Sequence, residues 1–154
     1  MQQEKRILII DDDKLVLSTF KQILELEGYT VDTAETGRKA IEKLDAGFYN
    51  LALIDIRLPD MEGTQLLTAV RDTVPKMVKI IVTGYPSLEN AKEAVNKGAD
   101  GYIVKPILDM NTLLSTVKKH LKKQDDAREY SEKKVIEYIE SRAKERETKK
   151  EETH

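Results

Sequence analysis

Five short apolar runs punctuate the chain: "RILII" at 6–10, "YTVDTA" at 29–34, "LALID" at 51–55, "VKIIVT" at 78–83 and "GYIVK" at 101–105. Their length and β-branched content suit strands, and the central runs lack polar alternation, as expected of parallel strands covered on both faces. The stretches between them follow a helical period. Leu15, Phe20, Ile23, Leu24 and Leu26 recur near every 3.6 residues, and Gly28 closes the segment as a C′ residue. A second helix over 37–45 carries Ala40, Ile41 and Leu44 and ends near Gly47. A third, over 63–72, carries Leu66, Leu67 and Val70. Ser87 caps a fourth, which bears Leu88, Ala91, Ala94 and Val95 and stops at Gly98; Asp109 caps a fifth with Leu113, Leu114, Val117 and Leu121. The pattern is β-α five times over, which predicts an α/β domain with a parallel sheet and right-handed crossovers.

Composition narrows the picture. With 154 residues there is room for one ordinary domain and a short extension. A net charge of −2 gives no basic footprint for nucleic acid. The absence of cysteine removes disulfides and thiolate metal sites. No apolar stretch approaches the roughly 18–20 residues that span a bilayer, and "MQQEKRILII" is too acidic and too short in its apolar part for a secretory signal. The expectation is a soluble, cytoplasmic protein without membrane contact.

Chemistry concentrates where the strands end. Asp11, Asp12 and Asp13 follow the first run, Asp55 closes the third, Thr83 the fourth and Lys105 the fifth. Open α/β sheets gather functional groups beyond the carboxyl ends of their strands. Adjacent carboxylates raise one another's pKa and oppose folding unless something positive joins them. If the strands carrying them are neighbours, Asp11, Asp12 and Asp55 form a hard-oxygen site suited to Mg²⁺, with Mn²⁺ as the alternative. An aspartate beside such a cation is a usable nucleophile toward phosphorus, with Lys105 and Thr83 placed to bind phosphoryl oxygens.

At this point the chain resembles the two-component response regulator receiver domain. The resemblance spans about residues 5–122 and rests on "IIDDDK", "LALIDIRLPDMEG", "IVTGYP", "GADGYIVKP" and the βα spacing joining them. It implies a doubly wound, flavodoxin-like (βα)5 fold of strand order 2-1-3-4-5. It also implies that Asp55 is the phosphoacceptor and that Asp11 and Asp12 are the metal-binding pair, with the backbone carbonyl of Arg57 as a further ligand. Thr83 becomes the switch hydroxyl, Lys105 the phosphate-pairing lysine and Tyr102 the switch aromatic. The family's mechanism is a population shift in which Thr83 moves inward and Tyr102 follows, reshaping the face of the fourth helix, fifth strand and fifth helix. A cis Lys105–Pro106 bond is implied as well. Arg57 and Tyr85 fall at the family's rate-tuning positions, where a long cation and a ring predict a long phosphoryl lifetime. The implied partners are a sensor histidine kinase and a downstream protein the sequence does not name, with a homodimer through the switch face as an option.

Plainer readings stand beside these. Asp13 reads as a helix cap or a solvated acid. Tyr102 can be an ordinary half-buried strand tyrosine, and "LPDMEG" reads as loop structure shaped by Pro59 and Gly63. His120 reads as a surface residue, and His154 has no evident role. After about Lys122 the chain turns highly charged, with acids and bases balanced and no proline or glycine, so a helical extension over 123–154 is expected. Its stripe of Val135, Tyr138 and Ile139 suggests a docking or dimerising helix, with a solvated extension or a signalling linker to an output domain as the other readings and a solvated or frayed end beyond Arg142. A haloacid-dehalogenase-like phosphohydrolase is the rival enzyme reading, since Asp11-Asp12-Asp13 mimics its Asp-x-Asp. That reading leaves Asp55 unexplained and lacks the second acidic pair after the fourth strand. A receiver-shaped module that is never phosphorylated is the third. No turnover of an external substrate is expected.

Overall fold

The computed structural model describes residues 4–70 and 72–152. Strands β1 (Arg6–Ile10), β2 (Thr30–Ala34), β3 (Leu51–Ile54), β4 (Val78–Thr83) and β5 (Gly101–Val104) alternate with helices α1 (Lys14–Leu26), α2 (Gly37–Ala46), α3 (Gly63–Ala69), α4 (Leu88–Asn96) and α5 (Met110–Glu152). All strand pairs are parallel and the order is β2-β1-β3-β4-β5, so the fold is flavodoxin-like.

The missing polar alternation has its cause in two cores. Ile7, Ile9, Leu51, Leu53, Val78, Ile80 and Val82 face Leu17, Phe20 and Leu24 of α1 and Leu113, Val117 and Leu121 of α5. Their neighbours in sequence, Leu8, Ile10, Ala52, Ile54 and Ile81, face Ala40 and Leu44 of α2, Leu66 and Leu67 of α3, and Ala94 of α4. Consecutive residues of a strand point to opposite faces, so a strand covered twice must be apolar throughout.

The helix ends follow local chemistry. Asp13 caps α1, its Oδ1 accepting from the backbone N–H of Leu15 at 2.9 Å. Ser87 caps α4 in a reciprocal box with Asn90, and Asp109 accepts from the N–H of Asn111 at the start of α5. Gly28 and Gly98 adopt positive φ after α1 and α4, a conformation that favours glycine.

Three expectations change. Leu15 and Leu26 are 74% and 80% exposed, so the buried stripe of α1 is Leu17, Phe20 and Leu24. In α4, Leu88 and Val95 face solvent, and Ala94 is the buried residue. Helix α3 ends at Ala69 rather than at 72, with Val70 extended. There the buried Lys79 reaches from β4 and donates to the Leu67 carbonyl at 2.9 Å, satisfying one of the acceptors a helix end leaves open.

By contacts the chain divides into two units, Met1–Leu121 and Lys122–His154. In the second, the helix continues to Glu152, and residues 143–151 are exposed, the solvated rather than the frayed alternative expected beyond Arg142. Tyr130, Val135, Ile136, Tyr138 and Ile139 are exposed on it. Pairs such as Arg128–Glu132 and Arg142–Glu145 line its surface.

Candidate functional site

The sheet registers carry the acids to one place. Beyond β1 the backbone keeps its alignment for one more residue, the N–H of Asp11 donating to the Ala34 carbonyl. The Asp55 N–H likewise donates to the Ile10 carbonyl, which sets Asp55 beside Asp11. Both are buried, whereas Asp12 is exposed. One carboxylate oxygen from each of Asp11, Asp12 and Asp55 lies within 4.8 Å of the others. Asp13 turns away to its cap. Lys105 enters from the end of β5, its Nζ 2.5 Å from Asp11 Oδ2 and 3.8 Å from Asp55 Oδ2. The Lys105–Pro106 peptide is cis, as is Val74–Pro75.

The loop after β3 closes tightly on this site. A Cβ on Gly63 would fall 1.9 Å from the Asp55 carbonyl oxygen, so only glycine fits. The Gly63 N–H donates to the Ile56 carbonyl at 2.6 Å, and Leu58 donates to Met61. The Arg57 N–H points at Asp55 Oδ1 at 3.4 Å, and its guanidinium lies 3.9 Å over the Tyr85 ring. Arg57 and Tyr85, 28 positions apart, thus form one stack.

Electrostatics mark Asp55 out. Burial pushes its carboxyl up to about 6, against the pull of Lys105; Asp11 and Asp12 add to the rise, and the Arg57 N–H opposes it. Asp11 and Asp55 share the Lys105 ammonium, and Asp12 adds a third carboxylate to the cluster. A hard, oxygen-only donor set with surplus negative charge fits a divalent cation.

Thr83 is fully buried at the end of β4, its Oγ1 accepting from the Tyr85 N–H at 3.0 Å. Among the described residues, none accepts the Thr83 hydroxyl proton. Tyr102 is half-buried against the second core, and its hydroxyl donates to Asn90 Oδ1 at 2.6 Å. His120 is not a simple surface residue. Its Nδ1 lies 2.9 Å from the Thr116 carbonyl and its Nε2 3.1 Å from that of Asp100. His154 lies outside the described residues.

Two residues that sequence reasoning passed over matter here. Asp60 accepts from the N–H groups of Gly37 and Arg38, both at 2.9 Å, tying the β3–α3 loop to the start of α2. These bonds hold its carboxyl below the usual range. Asn90 joins Tyr102 to the β4–α4 loop. A serine three residues before it was a legible sign of its capping role; its bond to Tyr102 had none.

A family model described as the response regulator receiver domain matches residues 7–118. The chain belongs to the response regulator receiver family. The receiver is 50% identical to a CheY-like receiver domain protein from Methanospirillum hungatei, at a TM-score of 0.77, covering 81% of this chain and 99% of that one. It is 33% identical, at a TM-score of 0.71, to the beryllofluoride-activated receiver domain dimer of NtrC4, covering 77% and 98%. Among curated relatives, the alginate biosynthesis transcriptional regulatory protein AlgB of Pseudomonas putida is 36% identical over 123 residues, 80% of this chain and 28% of that protein. The transcriptional regulatory protein ZraR of Escherichia coli is 36% identical over 115 residues, 75% and 26%. The receiver thus spans about a quarter of the length of these relatives. Receiver domains are signalling modules of two-component systems rather than turnover enzymes, so the phosphohydrolase alternative gains no support. Among the described residues, no helix is long and apolar enough to cross a membrane.

Proposed function

We propose that this receiver accepts a phosphoryl group on Asp55 from a sensor histidine kinase, with Mg²⁺, and signals to a downstream protein through the α4–β5–α5 face. The observation that carries this reading is the convergence of Asp11, Asp12 and Asp55, with the Lys105 ammonium paired to Asp11 and Asp55. Asp11, Asp12, Asp55 and the Arg57 backbone carbonyl would hold the cation, Mg²⁺ or in its place Mn²⁺. That ion supplies charge neutralisation for the incoming phosphoryl oxygens.

The remaining chemistry belongs to the chain. In the transfer, the histidine N–P bond breaks as a bond forms from an Asp55 carboxylate oxygen. Lys105, already between Asp11 and Asp55, is placed to pair with a phosphoryl oxygen. The free hydroxyl proton of Thr83 is placed to donate to another. Inward movement of Thr83 would shift the balance toward a buried Tyr102 ring, altering the switch face. The Arg57–Tyr85 stack, set beside Asp55, would hinder the attacking water and prolong the phosphoryl state. Signalling of this kind, from a kinase to a partner protein, belongs in the cytoplasm. Residues 1–122 are the receiver, and 123–154 serve as a docking or dimerising extension; a homodimer through the switch face is the alternative assembly.

The test is intact mass after incubation with Mg²⁺ and acetyl phosphate. One adduct of about 80 Da is expected, absent from Asp55→Asn and from the EDTA control. Arg57→Ala should keep the adduct and shorten its lifetime severalfold. An adduct that persists in Asp55→Asn, or in EDTA, overturns the assignment.

A further inference from the structure

Asn90 is the junction of four hydrogen bonds that reach three parts of the receiver. Its Oδ1 accepts from the Ser87 N–H at 3.1 Å and from the Tyr102 hydroxyl at 2.6 Å. Its Nδ2 donates to the Tyr85 carbonyl at 2.9 Å, and its backbone N–H donates to Ser87 Oγ at 3.0 Å. The amide cannot be turned over without loss. A backbone N–H only donates and a carbonyl only accepts, so Ser87 and Tyr85 fix both ends of the side chain. Tyr102 must therefore be the donor to Oδ1. Tyr85 in turn donates its N–H to Thr83 Oγ1 and lies under the Arg57 guanidinium. An unbroken series of bonds runs from Thr83 through Tyr85 and Asn90 to Tyr102.

The surroundings make this link matter. Helix α4 is thinly anchored, with Ala94 its buried residue and Leu88 and Val95 facing solvent. Among the described residues, Glu93 also ties it to the domain, accepting from Thr64 Oγ1 at 3.3 Å, and pairs with Lys97 at the helix's own C-cap. Segments with few buried apolar contacts open and shift most readily, so polar ties govern their position.

We propose that Asn90 is a positioning residue that ties the Tyr102 hydroxyl to the Tyr85 backbone, so that displacement of the Thr83–Tyr85 segment and release of Tyr102 occur as one event. This inference rests on Asp55 being the phosphoacceptor. The Asn90–Tyr102 bond is closed in the unphosphorylated chain. When Thr83 turns its hydroxyl toward a phosphoryl group, its Oγ1 leaves the Tyr85 N–H. Tyr85 then moves, and Asn90 carries the movement to Tyr102. Deleting either end of the tie removes a bond that holds the unphosphorylated form, which favours the activated one.

The experiment is a double-mutant cycle on the full chain with two readouts. Beryllofluoride with Mg²⁺ is titrated as a stand-in for the phosphoryl group. Backbone and side-chain amide NMR shifts are recorded without it. Asn90→Ala and Tyr102→Phe should each tighten beryllofluoride binding by about fivefold, the effect of one lost hydrogen bond, and the double variant should gain no more than either. Asn90→Asp keeps the cap and the acceptor for Tyr102 but sets a carboxylate against the Tyr85 carbonyl. A purely capping role predicts wild-type affinity for it, whereas the tie predicts the affinity of Asn90→Ala. In the ligand-free spectra, Tyr102→Phe should shift the Asn90 side-chain amide and the Tyr85 N–H. Additive effects, wild-type affinity in Asn90→Asp, or unmoved resonances in Tyr102→Phe overturn the proposal. A blank wild-type titration overturns instead the reading of Asp55, and the ligand-free spectra still test the tie.

Discussion

The two ends of β1 hold charged clusters of opposite character. At its start, Arg6 Nη2 lies 3.3 Å from Asp32 Oδ2, and the guanidinium sits 4.7 Å over the Tyr49 ring. The Tyr49 hydroxyl donates to the same Asp32 oxygen at 2.6 Å. One acid has two donors. The Tyr49 bond, with Arg6 and Lys43, holds the Asp32 carboxyl below its usual range, and burial with Asp32 pushes Tyr49 up to about 12. At the other end of the strand the ratio reverses. Asp11, Asp12 and Asp55 cluster with one ammonium, Lys105, paired to Asp11 and Asp55, and Asp55 rises to about 6. The first cluster is settled without help. The second is held at a cost that a bound cation would relieve, and such local conflict is where function concentrates.

Lys105→Met breaks the second cluster most severely. It strips the cation from two buried acids, so a loss of about 3 kcal/mol is expected in Mg²⁺-free urea unfolding at pH 7.5. Adding Mg²⁺ should recover much of it, and so should lowering the pH, because losing Lys105 removes the main pull on the Asp55 carboxyl and lets it take up a proton more readily than in wild type. Asp55→Asn should act in the opposite direction. The folded value, about 6, lies above the ordinary 3.8, so the folded state binds more protons between these limits. Stability from this group is full below 3.8 and is lost as pH rises through 6. At pH 7.5 without metal, Asp55→Asn should therefore be more stable than wild type, by at most about 3 kcal/mol. The gain should fade toward pH 4. A variant no more stable than wild type at pH 7.5 would mean that the two ends of β1 are equally well matched.

How much of this could be read from the chain varies with the distance between partners. The five strands and their helices were legible, because burial on both faces prints an unbroken apolar run and burial on one helix face prints the 3.6 period. The strand-end acids, Thr83 and Lys105 were legible as positions, each lying at or just past the close of such a run. Less legible was which apolar residues a helix leaves in water. Leu15 and Leu26 fit the period of α1 as well as Leu24 does, yet they fall at its margins. At the early end of α3, Lys79 donates to the Leu67 carbonyl, a pairing that no local pattern signals. Asp60 and Asn90 act on residues 22–23 and 12 positions away. Such pairings arise when separate elements approach, and they leave no period in the sequence.

The smallest change tests the settled end. Tyr49→Phe keeps the buried ring beneath Arg6 and removes one hydroxyl. Asp32 is 40% exposed at its side chain, so water can replace part of the lost bond, and a loss of about 1 kcal/mol or less is expected at pH 7. Its pH dependence should differ from that of Asp55→Asn. Because the folded Asp32 value is depressed, its stabilisation is present above the unfolded value and is lost as pH falls through the folded one. The difference between wild type and Tyr49→Phe should then hold steady from neutral pH down to about 4 and close only below it. The Asp55→Asn difference should already be shrinking below about 6. Phosphoryl uptake by Tyr49→Phe should match wild type in rate and extent. If uptake slows, the ends of β1 are coupled, and the charge balance at Arg6 is part of what sets the site at Asp55.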